Sequence, residues 1–291
     1  MKKEYALLPI AILLLASGHP VGKIILTEIS SLQLATVATL LASIVLWVAL
    51  ILTGGRRELG GFTRRDIYLT MLAGLLSFTI YPIMTFSALA RIPPAINALL
   101  VGTSPILITI ISATIAKERL KTLGYVGIGL GFAGVFVVLF GGGIGLAASQ
   151  GLLSVGPLFS IVGAICSSVY TVLGRRLMQR HTSLSTVGLA SGLGALILVV
   201  VTSATTGFGA VLTSSLTVKI LILYWGIFSG LGSLLYLYSL KNLEAPRAAS
   251  FVYLSPAFAT ILSFLIMGDP ITLTLVAGLI LVFVGIRLVQ R

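Results

Sequence analysis

The chain has 291 residues, 57% of them hydrophobic and only 9% charged, with a mean hydropathy of +1.14. Soluble domains carry about 25% charged residues, so the composition excludes an ordinary soluble protein and predicts an integral membrane one. The net charge of +12 does not point to nucleic acid, because the basic residues sit between apolar runs and form no stripe with interleaved aromatics.

Apolar runs of about the 20 residues needed to cross a bilayer are predicted at 5–26, 32–52, 67–90, 94–116, 122–140, 156–174, 185–205, 220–240, 246–267 and 271–288. The first run follows Lys2 and Lys3 and passes Ala16-Ser17-Gly18, a pattern shared with secretory signals. Its apolar character resumes through Leu26, so it is read as a retained first helix. The remaining gaps are short except for 141–155, a Gly- and Ser-rich, uncharged linker. The single cysteine, Cys166, excludes an intrachain disulfide and a cysteine metal site.

Lys and Arg are retained in the cytoplasm. With the N-terminus inside, sixteen basic residues fall on inner segments and three (Lys23, Arg91 and Lys219) on outer ones. Both termini are therefore expected in the cytoplasm. Trp47, Tyr68, Tyr125, Tyr224 and Trp225 fall near run ends and are expected as headgroup anchors.

The chain also repeats itself. Sliding Ala98–Gly134 forward by 151 residues gives 12 identities in 37 positions, including Ser104-Pro105 on Ser255-Pro256, Gly127 on Gly278 and Gly134 on Gly285. A unit repeated over that length indicates duplication. Five helices per half force the second half to enter the membrane inverted, a transporter signature. The predicted fold is thus all-α and polytopic: ten transmembrane helices as two inverted five-helix repeats, 1–140 and 156–291, joined by an extracytoplasmic linker at 141–155. Gly124, Gly127, Gly131 and Gly134 form a small-residue stripe partly repeated by Gly278 and Gly285, so the fifth and tenth helices are expected to pack closely, and Gly131→Leu to abolish folding.

These residues resemble the drug/metabolite transporter superfamily in its ten-helix EamA-like branch. The resemblance rests on the two five-helix halves, Pro105 and Pro256 within the fourth helix of each, Glu118 and Asp269 ending those helices, and the Gly-rich fifth helix. Ser17-Gly18-His19-Pro20-Val21-Gly22-Lys23 is similar to that family's first-helix pattern ending in Lys, with Leu15 and His19 in place of the usual Trp and aromatic. The resemblance implies an inner-membrane carrier with a cavity between its halves, often exporting amino acids or similar metabolites.

Proline in a helix interior removes a backbone hydrogen bond at a cost of about 3 kcal/mol in water. Paired breaks near the midplane, Ser104-Pro105 and Ser255-Pro256, therefore point to a binding site, set against packing kinks satisfied by the adjacent serine hydroxyls. Tyr81-Pro82 is a further break, and Pro20 kinks the first helix beside His19. His19 and Lys23 share a helix face and are basic side chains within an apolar run, where Lys costs about 2.5–3.5 kcal/mol near the bilayer centre. His19 is a candidate substrate contact or proton-responsive group, set against a histidine bonded to a neighbouring carbonyl; Lys23 is a candidate contact, set against a lysine reaching the headgroups. Tyr81, Tyr170, Tyr236, Tyr238 and Tyr253 lie inside runs, where a buried hydroxyl needs a partner or a cavity. Tyr236 and Tyr238 cannot share one face. Asn97 opens the fourth helix and is read either as a contact or as an end residue bonded to backbone.

The expected substrate-binding set is His19, Lys23, Tyr81, Asn97, Ser104, Tyr170, Tyr238 and Ser255, with helix breaks at Pro20, Pro82, Pro105 and Pro256. All seven acids lie at helix ends or loops, no nucleotide-binding loop is present, and no paired-acid or histidine arrangement indicates an enzyme. No metal or cofactor is expected. The expected partners are a small-molecule substrate and the lipid bilayer, without nucleic acid, with the chain acting as a monomer. The preferred reading is a secondary carrier in the inner membrane that exports an amino acid or similar metabolite by alternating access. The alternatives are a carrier of a phosphorylated or carboxylated anion, for which His19 and Lys23 would supply charge, and a non-transporting membrane sensor or scaffold.

Overall fold

Chains this apolar satisfy their backbone polar groups within helices, because lipid offers no alternative partners. The computed structural model describes residues 4–104, 106–108, 110–111, 122–140, 151–178, 180–242 and 254–289, and among these it contains helices and no strand. Helices are labelled α1 (Glu4–Ala16), α2 (Gly18–Ile25), α3 (Ser31–Leu52), α4 (Arg64–Gly74), α5 (Tyr81–Leu89), α6 (Pro94–Val101), α7 (Thr122–Phe140), α8 (Gly156–Met178), α9 (Ser183–Ala204), α10 (Leu216–Asn242), α11 (Leu254–Met267) and α12 (Leu273–Val289). A π-helical segment, Leu75–Ile80, joins α4 to α5, and α1 passes into α2 at Ser17.

Among the described residues, six continuous stretches are long and apolar enough to cross a membrane: Leu7–Ile25, Ser31–Leu52, Arg64–Leu89, Gly156–Gly174, Ser183–Ala204 and Leu216–Tyr236. Thr122–Val138, Leu254–Met267 and Leu273–Gly285 are shorter apolar helices, as is the described part of Pro94–Ile108. Ile44, Val48, Phe136, Leu196, Val200 and Ile280 are exposed on the outside of the bundle. An apolar surface of that extent suits lipid.

The sequence fixes where several helices begin. Ser30 and Thr63 start α3 and α4 with reciprocal capping boxes to Gln33 and Asp66. Pro20 and Pro82 each fall in the first turn of a helix, where a missing N–H costs little. The breaks expected at these two prolines are therefore placed before them, at Ser17 and in the π segment. Pro105, Glu118, Tyr253 and the linker residues 141–150 lie outside the described residues, as does the side chain of Tyr238.

The packing interleaves the two parts of the chain. Helix α3 packs on α9 and α10, α1 on α10 and α11, α8 on α5, α6 on α11, and α7 on α12. Along α3 and α9 the polar pairs run in opposite order. Gln33 donates to the Gly207 carbonyl at 2.9 Å, Thr36 meets Thr202 at 2.6 Å, and Ser191 donates to Ser43 at 3.3 Å, so the two helices are antiparallel. Helices α7 and α12 are antiparallel as well: a methyl added to Gly134 would lie 2.7 Å from the Gly278 carbonyl oxygen, and one added to Gly285 would lie 2.5 Å from that of Gly127. The expected contact between the two glycine-rich helices is present, glycine backbone against glycine backbone.

Two joints tie segments distant in sequence. Glu28 accepts the Ser215 N–H and hydroxyl, each at 2.6 Å, at the start of α10. Those two bonds hold the Glu28 carboxyl below its ordinary pKa. At the other end of the bundle, buried Asp66 accepts from Thr63 and pairs with His181 at 3.2 Å and Arg180 at 3.7 Å, with Phe62 stacked on the His181 ring.

Three of the five expected headgroup anchors face inward instead. The Tyr224 hydroxyl donates to Ser17 at 3.1 Å, the benzo edge of Trp225 abuts Gly18, and Trp47 fills the notch at Gly192. A ring that suits the headgroup region equally suits the space left by a glycine on a neighbouring helix. Tyr68 and Tyr125 remain exposed.

Candidate functional site

The polar centre of the bundle is assembled by α2, α5, α6 and α8. Starting α2 just after Ser17 puts His19 in its first turn, directed at α6. There Asn97, fully buried, places its amide nitrogen 3.3 Å from His19 Nδ1 and 3.3 Å from the Thr85 carbonyl oxygen. Its amide oxygen accepts the Ser160 hydroxyl from α8 at 2.8 Å. A primary amide serves this junction well, since it donates and accepts at once. His19 and Ser160 are thereby linked through one side chain across three helices.

The Thr85 hydroxyl is buried beside this chain and has no hydrogen-bond partner among the described residues. Tyr81, one turn earlier on the same face, approaches that hydroxyl without hydrogen-bond geometry. A buried hydroxyl left without a partner is costly unless a ligand or water completes it.

His19, Tyr81, Tyr170 and Tyr236 lie deep in the bundle, yet each keeps part of its surface accessible. Phe78 meets Tyr170 edge-on at 5.8 Å, and Tyr236 lies near the Tyr170 hydroxyl. Tyr170 and Tyr236 stand 151 residues after His19 and Thr85, the same interval as the internal repeat.

Residues just before the first expected break also meet other helices. Pro256 of α11 presses on Gly102, where an added methyl would lie 2.8 Å from the proline ring, and Ser168 donates to the Ser104 carbonyl at 3.0 Å. The Ser104 hydroxyl turns back to the Val101 carbonyl, which leaves its backbone oxygen as the group offered to α8. Ser255, next to Pro256, is half-buried on α11.

Lys23 takes a different position from His19. Its ammonium donates to the Leu89 carbonyl at 2.7 Å and the Ile92 carbonyl at 3.3 Å, covering the C-terminal end of α5. It also lines a separate cavity of about 550 Å³ with Arg91, Ile96, Met267 and Asp269. Among the described residues, no three His, Cys, Asp or Glu side chains are gathered as metal ligands.

Sequence reasoning therefore selected His19, Asn97, Tyr81 and Tyr170 but passed over Ser160 and Thr85. Thr85 carried a usable signal, since it follows Tyr81 by one turn on the same face. Ser160 carried none, because its pairing with Asn97 depends on how α8 crosses α6.

An all-helical bundle with several membrane-length apolar helices and with amide, imidazole and phenol groups among them suits a membrane transporter. The chain belongs to the EamA-like transporter family, whose model matches it twice, over residues 2–140 and 154–291. The uncharacterized transporter YyaM of Bacillus subtilis (strain 168) is 29% identical over 247 residues, covering 84% of this chain and 80% of YyaM. A protein of Streptantibioticus cattleyicolor described as a probable terminal-alkyne amino-acid exporter is 23% identical over 279 residues, covering 95% of this chain and 89% of the relative. A solved crystal structure shares the fold with a TM-score of 0.65 at 19% identity, covering 99% of this chain and 96% of that one. The family and these named relatives are transporters rather than enzymes.

Proposed function

We propose that the protein is a secondary carrier of the cell inner membrane that exports an amino acid or similar small metabolite by alternating access. In this reading the six long and four shorter apolar helices make ten crossings. They form two inverted repeats, 1–140 and 156–291, with both termini cytoplasmic and the Lys23 end outside. The antiparallel runs of α3 against α9 and α7 against α12 support inversion, because those helices correspond under the internal repeat. The basic-residue bias supports the orientation.

The observation that carries the functional reading is the His19–Asn97–Ser160 chain beside accessible, deeply placed tyrosines. A scaffold gains nothing from holding such groups in its interior, whereas a carrier needs polar contacts that replace a solute's water. The proposed substrate contacts are His19, Tyr81, Asn97, Ser104, Tyr170 and Ser255, with Ser160 and Thr85 added. The Streptantibioticus relative supports an amino-acid-like substrate.

Counterflow in proteoliposomes tests this reading. Vesicles are loaded in turn with single unlabelled amino acids, sugars or organic anions, and uptake of the labelled counterpart is followed. Uptake driven by an amino acid and lost in Asn97→Ala is expected. Folded, inserted protein that exchanges no member of the panel would overturn it.

A further inference from the structure

The cavity beside Lys23 is lined by both signs of charge. Lys23 lines it from the end of α2, Arg91 from the turn between α5 and α6, and Asp269 from the link between α11 and α12. Neither cation is within 4 Å of the Asp269 carboxylate, so the opposite charges line one cavity without pairing.

Each charge is held by neighbours. Lys23 is fixed by two carbonyls, Arg91 donates to the Ser87 carbonyl at 2.6 Å and lies 5.3 Å from the Phe159 ring centroid, and Asp269 accepts the Ser263 hydroxyl. Ile92, Pro94, Val138, Met267 and Leu275 supply apolar walls between them. At about 550 Å³ the space falls within the size range of small-molecule sites. Ile96 lines it, and the next residue, Asn97, bonds His19, so one turn of α6 serves both the cavity and the central polar cluster.

We infer that this cavity is a vestibular subsite that recognises a zwitterionic α-amino acid with an apolar side chain. Lys23 and Arg91 receive the carboxylate, Asp269 receives the ammonium, and the side chain lies along Met267 and Leu275. A simple anion would leave Asp269 facing a like charge, and a simple cation would meet two of its own sign. The inference rests on the carrier reading and deepens it by naming the features of the substrate that this end of the path reads.

Three probes separate the charges: L-leucine, N-acetyl-L-leucine, which lacks the ammonium, and L-leucinamide, which lacks the carboxylate. Binding is read as thermal stabilisation of the purified full chain, and transport as counterflow. The wild type is expected to prefer L-leucine to either analogue by at least about tenfold, the scale of one lost charge-assisted hydrogen bond. Asp269→Asn is expected to abolish the preference over N-acetyl-L-leucine while keeping that over L-leucinamide. Arg91→Gln is expected to reduce only the preference over L-leucinamide, and it leaves the bonds of Lys23 to α5 intact should Lys23 variants fail to fold.

If the wild type exchanges L-leucine but Asp269→Asn retains full discrimination, the subsite is refuted and the carrier reading stands. A wild type that prefers N-acetyl-L-leucine also refutes it, in favour of an anion site. A wild type that neither binds nor exchanges any amino acid removes both readings.

Discussion

Alanine at Gly134 offers a direct test of the packing between α7 and α12. Its methyl would lie 2.7 Å from the Gly278 carbonyl oxygen and 2.9 Å from the Val282 nitrogen, both backbone atoms that no rotamer change can move. A carbon-to-oxygen contact settles at about 3.3 Å or more, so the helices must part by roughly 0.6 Å. A gap on that scale forfeits a quarter to a half of each dispersion contact, and inserting a methylene-sized group into a packed interface costs about 1–3 kcal/mol. Gly129, on the same helix, has nothing within 4 Å of an added methyl and serves as the control. Unfolding in mixed micelles with increasing sodium dodecyl sulfate is expected to show Gly134→Ala destabilised by about 1–3 kcal/mol relative to Gly129→Ala. Equal unfolding midpoints for the two variants would refute the argument that glycine is present there for close approach.

Three further outcomes follow from other contacts. Asn97→Ala removes the shared partner of His19, Ser160 and the Thr85 carbonyl; at about 0.6 kcal/mol per interhelical bond it should cost about 1–2 kcal/mol in the same unfolding assay and weaken counterflow more than it lowers stability. Gly18→Ala should destabilise through the Trp225 edge, and Trp225→Ala should restore part of that loss, so a double-mutant cycle measures the coupling and additive effects would exclude the contact. The Ser215 bonds lower the Glu28 pKa, so their stabilisation is present above the ordinary carboxylate pKa of about 4.3 and is lost as pH falls through the lower folded value. Thermal midpoints followed downward from about pH 6 should fall more steeply in the wild type than in Glu28→Gln, and parallel curves would show that Glu28 is not held as described.

What was legible in the sequence was mostly periodic. The glycine stripes, the internal repeat and the apolar runs all depend on spacing along one helix, and the contact between α7 and α12 followed from them. What depended on crossings was hidden. Lys23 shares a helix face with His19, yet it turns to carbonyls at the end of α5, which lie 66 and 69 residues away in sequence. Trp225 carried the position of a headgroup anchor, and only the glycine opposite it on another helix drew it inward. Pro20 and Pro82 marked real breaks, but the chain placed each break just before the proline, where the missing donor matters least.

The interleaving of the helices also bears on how the chain is made. When residues 1–140 have left the ribosome, α3 still lacks α9 and α10, α1 lacks α10 and α11, and α7 lacks α12. The buried side chains Gln33, Thr36 and Ser43 then have no interhelical partners and must wait in the bilayer or beside the insertion machinery. Neither half is a finished folding unit. Residues 1–140 and 141–291 supplied as separate polypeptides should each be degraded alone and rescued together.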